Sequence, residues 1–270
     1  MFSAPRFMFG AEFSSRFARS VWKAYARAFK GPYFVERRMG ARWLLDQHNI
    51  IDRRLFCEGV WEEEQVARLT GYAQTIGGSG ARPHFLDIGS HAGFYAVLMR
   101  RSGLFDRVLA FEPMPAHLDL LAANLVLNDL SNRIEVFDCA LSDKAGVLHF
   151  APGPKTNRGM AHTLDGASTG LLSATPEAEI VEVKSCRLDD LFALEQSRLV
   201  IKIDVEGHEI ATLSGMRRLL ASNSCTLQVE ILPAAVEGVS ALLTGLGYSP
   251  LGSIGLDHYF SNTPALIATP

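Results

Sequence analysis

The chain has 270 residues, of which 48% are hydrophobic and 20% charged, and its mean hydropathy is +0.11. This composition predicts a globular protein with ample apolar material for a core, and it excludes a disordered or collagen-like chain. The net charge of −3 argues against bulk nucleic-acid binding, because the phosphate backbone attracts a basic surface. No stretch reaches about 18 apolar residues, so we expect no transmembrane helix.

Positive charge is concentrated at the N-terminus. Residues 1–45 hold nine Lys or Arg and two acidic residues, a net charge of +7, whereas the rest of the chain carries −10. Residues 12–30 place apolar, mostly aromatic side chains at a four-residue spacing, which predicts a helix with an aromatic stripe and basic flanks. Such a helix would pack on the body of the protein, pair with a second copy in a homodimer, or lie on an anionic membrane surface.

The cysteines favour a reducing compartment. They lie far apart, and no Cys-x-x-Cys or Cys/His spacing suits zinc. The scattered N-terminal charges leave no apolar core for a cleaved signal peptide. We therefore expect a cytoplasmic protein that its basic arm would be able to bring to the inner membrane face. Its four cysteines are expected to be free: Cys57, Cys139, Cys186 and Cys225.

A helical extension is predicted for residues 1–76. Its second part, 36–75, reads as a helical region, and the acidic run at 62–64 is typical of a first turn, where negative charge complements the helix dipole. The glycine-rich run at 77–80 predicts a flexible linker into the main domain at 81–270.

Strand and helix patterns alternate through the main domain. Repeated β-α units predict an α/β fold with a parallel sheet and helices on both faces. Residues 147–187 interrupt this rhythm with two strands around a polar loop, a β-rich insertion that is a candidate acceptor lid. Ligands of such sheets bind beyond the carboxyl ends of the strands, so the site residues are expected where each strand stops.

The first strand of the domain ends in a glycine turn that reads Asp87-Ile88-Gly89-Ser90-His91-Ala92-Gly93. A dinucleotide fingerprint has glycine at the position of His91, where the backbone approaches a pyrophosphate, so this turn argues against NAD or FAD. It suits a cofactor without phosphate: Gly89 would make the tight turn, Gly93 would let the helix approach the sheet, and Asp87 would face an ammonium group.

Acidic residues also end the second and third strands. Glu112, followed by Pro113, lies 23 residues after Gly89. This is close to the spacing of about 20 at which a carboxylate binds the ribose hydroxyls of an adenosine cofactor. At the third strand end, small residues such as Ala140 would let an adenine ring lie flat, and Asp138 would accept its amino proton.

The fourth strand end carries a cluster of charged and imidazole side chains. Asp204 and Glu206 point the same way while the chain is extended, and His208 opens the next helix above the pocket. Burying such a cluster without a function is unfavourable. The alternatives are ordinary first-turn acids of a helix, or a metal bound by Asp204, Glu206, His208 and Glu230, since hard cations prefer oxygen ligands.

These motifs resemble the FkbM family of S-adenosylmethionine-dependent methyltransferases. The resemblance covers about residues 55–235 and rests, in chain order, on FLDIGSHAGFY, VLAFEP, FDCALSD, SCRLDDL, LVIKIDVEGHE and LQVEI. KIDVEGHE with the preceding RLDDL is its most specific element. The family implies an α/β, Rossmann-like class I methyltransferase fold, with a mostly parallel seven-stranded sheet and an antiparallel last strand. Many relatives carry Ala-Asn in place of Ser90-His91.

The resemblance also implies the cofactor contacts. The glycine turn and Asp204 would hold the methionine end of S-adenosylmethionine, Glu112 the ribose, and Asp138 and Ala140 the adenine. The implied cofactor-binding residues are Asp87, Gly89, Ser90, Gly93, Glu112, Pro113, Asp138, Ala140 and Asp204.

The family is associated with O-methylation of hydroxyls on macrolides and sugars. An aliphatic hydroxyl needs a general base during attack on a methyl group. His208 is the predicted base, because a neutral imidazole accepts a proton near pH 7. Glu206 or Asp204 would orient it, and Glu230, at the end of the next strand, is the alternative base.

The sequence is also compatible with two other functions. A nicotinamide oxidoreductase on a similar sheet is disfavoured by His91. A non-catalytic adenosyl-binding or assembly protein would use its N-terminal helix to engage a membrane or a partner. The leading prediction is an O-methyltransferase for a small molecule or glycan.

Overall fold

The computed structural model describes residues 32–47, 49–78, 80–151 and 180–267, together with the backbone of 162–163. The predicted amphipathic helix at 12–30 and most of the polar loop within 147–187 lie outside the described residues. Within the described part of the chain, no helix is long and apolar enough to cross a bilayer.

The region predicted to be helical from residue 36 begins instead with a β-hairpin. Strands β1 (Tyr33–Arg38) and β2 (Ala41–Asp46) pair antiparallel around Met39 and Gly40. Both turn residues have positive φ, 48° and 76°, as a two-residue hairpin turn with the right twist requires. The helical prediction is therefore wrong for residues 36–46, where alternate side chains of β2 are buried with the period of two of a strand.

Two helices follow the hairpin, in agreement with the prediction for this part. Helix α1 (Ile50–Glu58) is capped by the side chain of Asn49, which accepts a hydrogen bond from the Ile51 N–H. Helix α2 (Glu63–Gly77) ends at Gly78, which has positive φ.

A seven-stranded sheet forms the centre of the protein. The remaining strands are β3 (His84–Ile88), β4 (Val108–Phe111), β5 (Glu135–Phe137), β6 (Ala140–Leu141), β7 (Gly146–Ala151), β8 (His162–Thr163), β9 (Val181–Cys186), β10 (Arg198–Ile203), β11 (Ser224–Glu230), β12 (Ser249–Ile254) and β13 (Asp257–Ser261). The sheet order is β12-β13-β11-β10-β3-β4-β5. Strand β13 runs antiparallel to both its neighbours, and the pairs from β11 to β5 are parallel. This topology confirms the predicted class I methyltransferase fold.

Helices cover both faces of this sheet. They are α3 (Phe94–Ser102), α4 (Pro115–Leu127), α5 (Leu188–Leu191), α6 (Glu209–Ser214), α7 (Arg217–Ser222), the 3₁₀ turn Pro233–Ala235, α8 (Val236–Gly245) and α9 (Pro264–Ile267). One core contains Phe85 with side chains of α2, α3 and α4, and the other contains Leu86 with side chains of α6, α7 and α8. Because successive side chains of β3 point to opposite faces, neighbouring residues belong to different cores.

The predicted β-rich insertion joins a second, smaller sheet with the order β6-β9-β7-β8. Its two flanking strands, β7 and β9, pair antiparallel, as the sequence pattern indicated. Strand β6 follows directly after β5, the edge strand of the main sheet, and pairs with β9, so the insertion is attached at the carboxyl end of β5.

The N-terminal hairpin docks on α4 through two asparagines. The Asn124 side chain accepts from the Leu44 N–H at 2.7 Å and donates to the Ala92 carbonyl at 2.8 Å. Asn128 accepts from the Arg42 N–H at 3.0 Å and donates back to its carbonyl at 2.7 Å. The two side-chain amides thus form hydrogen bonds with backbone groups of β2 that would otherwise pair with another strand. Asn124 also links the hairpin to the glycine turn through the Ala92 carbonyl.

Candidate active site

The glycine turn closes tightly over the end of β3. The N–H groups of Gly89 and Ser90, and the Ser90 hydroxyl, all donate to the Phe111 carbonyl at 3.0 Å. Gly89 has φ 79°, and a Cβ there would overlap the Asp204 carbonyl. A side chain at Gly93, φ 80°, would overlap Leu121 of α4. Both positions thus require glycine, although Gly93 makes room for a neighbouring helix rather than for the sheet.

Asp87 lies directly behind this turn and is 1% exposed. Its Oδ2 accepts a hydrogen bond from the Ala96 N–H at 2.9 Å, whereas Oδ1 has no hydrogen-bond partner in the described part of the protein. Burial raises the pKa of Asp87 to about 6, although the nearby Lys202 ammonium acts in the opposite direction.

Glu112 sits at the end of β4 with both carboxylate oxygens engaged. Oε2 accepts from the His91 N–H at 2.8 Å, and Oε1 accepts from the Met114 N–H at 2.8 Å. Nδ1 of His117 lies 3.2 Å from Oε1. These contacts hold the carboxylate at the edge of the glycine turn, and its binding of a ribose stays a prediction.

A cavity runs along the carboxyl ends of the central strands, where the fold places ligands. Residues of the N-terminal segment and the insertion also contribute to its wall. The lining residues are Ile51, Ile88, Gly89, His91, Phe111, Glu112, Pro113, Met114, His117, Cys139, Ala140, Leu141, Phe150, Asp204, Val205, Glu206 and His208.

The fourth strand end brings its acidic residues to this cavity. Asp204 accepts a hydrogen bond from the Lys202 ammonium at 2.9 Å. Glu206 has φ 50°, an unusual backbone conformation for a residue with a side chain. Burial, together with the Asp204 and Glu209 carboxylates, raises the pKa of Glu206 to about 7. The site thus holds a carboxyl group that titrates near neutral pH.

His208 precedes α6 and lines the cavity, as predicted. Its Nε2 lies 3.0 Å from the Ser142 hydroxyl, which donates to Asp143 at 3.2 Å. This ring nitrogen is therefore turned toward the start of the second sheet.

Several of the other predicted site residues do not line the cavity. Glu230 ends β11 and is not among the lining residues, although burial and the Asp204 carboxylate raise its pKa to about 8. Asp138 is exposed and also absent from the wall, so its contact with adenine stays a prediction, whereas Ala140 lines the cavity. Ser90 and Gly93 are also absent from the wall and shape the glycine turn.

Within the described residues, no group of His, Cys, Asp and Glu is arranged to hold a metal ion.

Lys202 is the main site residue that the sequence analysis missed. It is 5% exposed and lies between Asp87 and Gln228 in the sheet register. Its ammonium is 4.8 Å from the centre of the Tyr95 ring. Burial alone would lower the pKa of Lys202, but the surrounding carboxylates, Asp204 foremost, raise it above the ordinary value. A lysine inside the apolar run LVIKI was the available signal.

A second missed feature is a buried network from the N-terminal segment. The Tyr95 hydroxyl donates to Glu62 at 2.6 Å, and the Gln228 amide donates to Tyr95 at 3.2 Å and to Asp257 at 2.8 Å. The sequence predicts Glu62 in the first turn of α2, whereas in the structure this residue precedes the helix and has φ 47°. Its carboxylate accepts the hydrogen bond from Tyr95 and makes no capping hydrogen bond at the helix end.

These residues fit an adenosyl cofactor. Asp87 is not among the residues that line the cavity, but its Oδ1 is a buried acceptor without a partner in the described residues, which suits an ammonium group. Glu112 Oε2 accepts one backbone N–H, and a carboxylate oxygen has room for a second donor such as a hydroxyl. Ala140 and Pro113 supply a wall without bulky side chains.

Comparison with known proteins gives the same indication. The profile of the methyltransferase FkbM domain matches residues 87–250. Methyltransferase sdnD of Sordaria araneosa is 29% identical over 170 residues, covering 54% of this chain and 65% of that protein. Hexuronic acid methyltransferase AglP of Haloferax volcanii is 28% identical over 136 residues, covering 50% of this chain and 51% of that protein. The chain thus spans about half to two thirds of the length of these relatives.

Among solved structures, an FkbM methyltransferase from Methylobacillus flagellatus is similar, with 16% identity and a TM-score of 0.43, over 66% of this chain and 43% of that chain. The profile match covers more than half of the present chain and includes the glycine turn, Glu112 and the KIDVEGHE motif. The predicted cofactor, S-adenosylmethionine, is confirmed by the same match. The chain belongs to the FkbM methyltransferase family.

Proposed function

We propose that the protein is an S-adenosylmethionine-dependent O-methyltransferase acting on a hydroxyl of a small molecule or glycan, of the sugar or polyketide type. The observation that carries this proposal is Glu206, a cavity-lining carboxyl group whose pKa is raised to about 7 by burial and by Asp204. A group that titrates near the working pH is suited to accept a proton from a hydroxyl.

The cofactor would supply an electrophilic methyl group carried on a sulfonium. Asp87 and the glycine turn would hold its amino-acid end, and Glu112 its ribose. The Lys202 ammonium donates a hydrogen bond to Asp204 at 2.9 Å and so holds the position of this carboxylate. The acceptor would then approach along the end of β10, beside Glu206, which lines the cavity.

The proton of the acceptor hydroxyl requires a base in this region. Glu206 lines the cavity, whereas the Nε2 of His208, the base predicted from the sequence, contacts Ser142. We therefore assign Glu206 as the base and His208 as a residue that shapes the wall. Glu230 is the alternative base, with a pKa raised to about 8 by burial and by Asp204.

One relative and one feature of the structure support an acceptor of the sugar type. The name of AglP describes a methyltransferase for hexuronic acid, a sugar derivative. The second sheet attaches beside the cavity and contributes Phe150 to its wall, so we propose that the loop within 147–187 covers the acceptor.

The test is methyl transfer from labelled S-adenosylmethionine to a panel of sugars, glycolipids and polyketide alcohols, with Glu206→Gln as the variant. We expect a loss of about 100-fold or more in kcat without weaker binding of S-adenosylhomocysteine, and a smaller loss for His208→Gln. Glu237→Gln, on the exposed surface of α8, is the matched control. Tight cofactor binding without turnover on any acceptor would favour a non-catalytic adenosyl-binding protein.

We further propose that the basic arm at residues 1–45 brings the enzyme to an anionic membrane surface or joins two copies. Its net charge of +7 supports this role. Deletion of residues 1–31 leaves the described hairpin whole, and loss of co-sedimentation with anionic vesicles would support membrane contact. Unchanged sedimentation together with a change from dimer to monomer would assign the arm to dimerisation.

A further inference from the structure

His91 is the most unusual residue of the glycine turn. It has φ 48°, in the left-handed region that favours glycine or asparagine. Its Nε2 is buried and has no hydrogen-bond partner among the residues that the structure describes, and His91 is one of the residues that line the cavity. A backbone of this kind and a buried, unpaired ring nitrogen are both unfavourable in the free protein. Such a combination indicates a residue arranged for a ligand.

The contacts of His91 place its ring beside Glu112. Its own N–H donates to Glu112 Oε2 at 2.8 Å. Its ring meets the His117 ring edge to face, with the centres 4.2 Å apart, and His117 Nδ1 lies 3.2 Å from Glu112 Oε1. Two imidazoles and one carboxylate therefore surround one spot in the cavity wall, at the position proposed for the ribose.

The protonation state of the His91 ring indicates which kind of ligand group it can bind. Burial, with the neighbouring His117 and Lys202, lowers the pKa of His91 to about 3, so the imidazole is neutral at physiological pH. A neutral ring nitrogen donates or accepts according to the tautomer, and a hydroxyl matches either state. A hydroxyl that donates to Glu112 still has lone pairs that can accept from His91. A sugar hydroxyl satisfies both residues at once.

We propose that Nε2 of His91 hydrogen-bonds a ribose hydroxyl of the adenosyl cofactor, which makes His91 a second ribose-binding residue beside Glu112. This inference rests on the proposed function, because it takes the ligand to be S-adenosylmethionine or its product. It also explains why a turn that accommodates glycine or asparagine more easily holds a histidine here.

Calorimetric binding of S-adenosylhomocysteine to the full chain tests the proposal without any turnover. We expect His91→Phe, which keeps the ring and removes its nitrogens, to weaken binding about tenfold, the value of one lost hydrogen bond. His91→Gly should weaken binding at least as much while keeping or raising the melting temperature, because glycine accepts the positive φ. This second variant keeps the test valid where phenylalanine is poorly tolerated.

His84→Phe is the matched control. His84 is the first residue of β3, at the end of the strand opposite the glycine turn. Its Nδ1 is likewise buried without a partner in the described chain, but His84 does not line the cavity. We expect its affinity for S-adenosylhomocysteine to match that of the unchanged protein.

Analogues of S-adenosylhomocysteine that lack the 2′ or the 3′ hydroxyl locate the contact. One of them should bind the unchanged protein about tenfold more weakly, and His91→Phe should cause no further loss with that analogue. Unchanged affinity in both His91 variants would overturn the inference, as would a full further loss with both analogues. Failure of the unchanged protein to bind S-adenosylhomocysteine at all would overturn the proposed function along with it.

Discussion

The two ends of the central sheet differ in whether their charged side chains are exposed and paired or buried and in excess. At the amino ends, Arg107 and Glu135 form an exposed pair with two hydrogen bonds of 2.9 and 2.8 Å, and this pairing lowers the pKa of Glu135. At the carboxyl ends, burial raises the pKa values of Asp87, Glu206 and Glu230, and carboxylates outnumber the Lys202 ammonium. Paired charges on the surface contribute to solubility and add a little stability. Buried carboxylates in excess of their cationic partners lower stability, and such groups are typical of sites for binding and chemistry.

The largest effect is expected where the backbone of the carboxyl end is tightest. Gly89→Ala would place a methyl group against the Asp204 carbonyl and force a positive φ on alanine. We expect a loss of about 3 kcal/mol or more in the free energy of unfolding, together with loss of S-adenosylhomocysteine binding. Urea unfolding and calorimetry measure both quantities.

Gly255→Ala separates the two causes. Gly255 also has positive φ, 60°, but a Cβ there meets nothing within 4 Å. We expect a loss of about 1 kcal/mol from the backbone alone. Equal losses in the two variants would show that the approach of Asp204 to the glycine turn is unimportant.

Removal of the buried cation is the next test. Lys202→Met leaves Asp87 and Asp204 without their positive neighbour, and we expect a loss of about 3 kcal/mol in the free energy of unfolding at pH 8. The loss should shrink toward pH 5, because Asp87, whose pKa is raised to about 6 by burial, then takes up a proton and no longer repels Asp204. Urea unfolding at both pH values measures this difference. Lys184→Met, exposed on β9, should change stability by less than about 0.5 kcal/mol at either pH.

The raised pKa of Glu206 makes stability depend on pH. The folded state retains its proton up to about pH 7, whereas the unfolded state loses it near the ordinary value of 4.5. The folded state thus binds more protons in this range, and the free energy of unfolding falls as the pH rises from 4.5 to 7. We expect Glu206→Gln to reduce this slope by up to about 1.4 kcal/mol per pH unit.

Urea unfolding between pH 5 and 8 compares the two proteins, with Glu237→Gln as the exposed control. A slope that is equal in all three would mean that Glu206 is not protonated in the folded protein near neutral pH. The contribution of Glu230 should persist in Glu206→Gln up to about pH 8.

The smallest effect is expected at the amino ends. Glu135→Gln breaks the exposed pair with Arg107, and we expect a loss below about 1 kcal/mol that shrinks further at high salt. Unfolding at low and high salt measures it. A loss as large as that of Lys202→Met would contradict the contrast between the two ends.

Several features of the fold and the site could be read directly from the sequence. The alternating β-α pattern predicts the sheet, and the residues that end β3, β4 and β10 predict where the cavity lies. The sequence predicts a helix in place of the hairpin because the period of two extends over only six residues of β2, which is too short to distinguish a strand from a helix. It places Glu62 in a helix because a run of three glutamates is typical of a helix first turn.

The residues along one strand end are neighbours in the chain, so local patterns suffice to identify the glycine turn, Glu112 and the pair Asp204 and Glu206. The sequence by itself therefore determined the fold class, the family and the position of the site. Only the tertiary structure decided which side chains meet there. Lys202 joins Asp87 and Tyr95, Tyr95 joins Glu62, and His91 meets His117, because parallel strands and packed helices bring together groups far apart in the chain. Burial, which raises or lowers their pKa values, is likewise a property of the packed molecule.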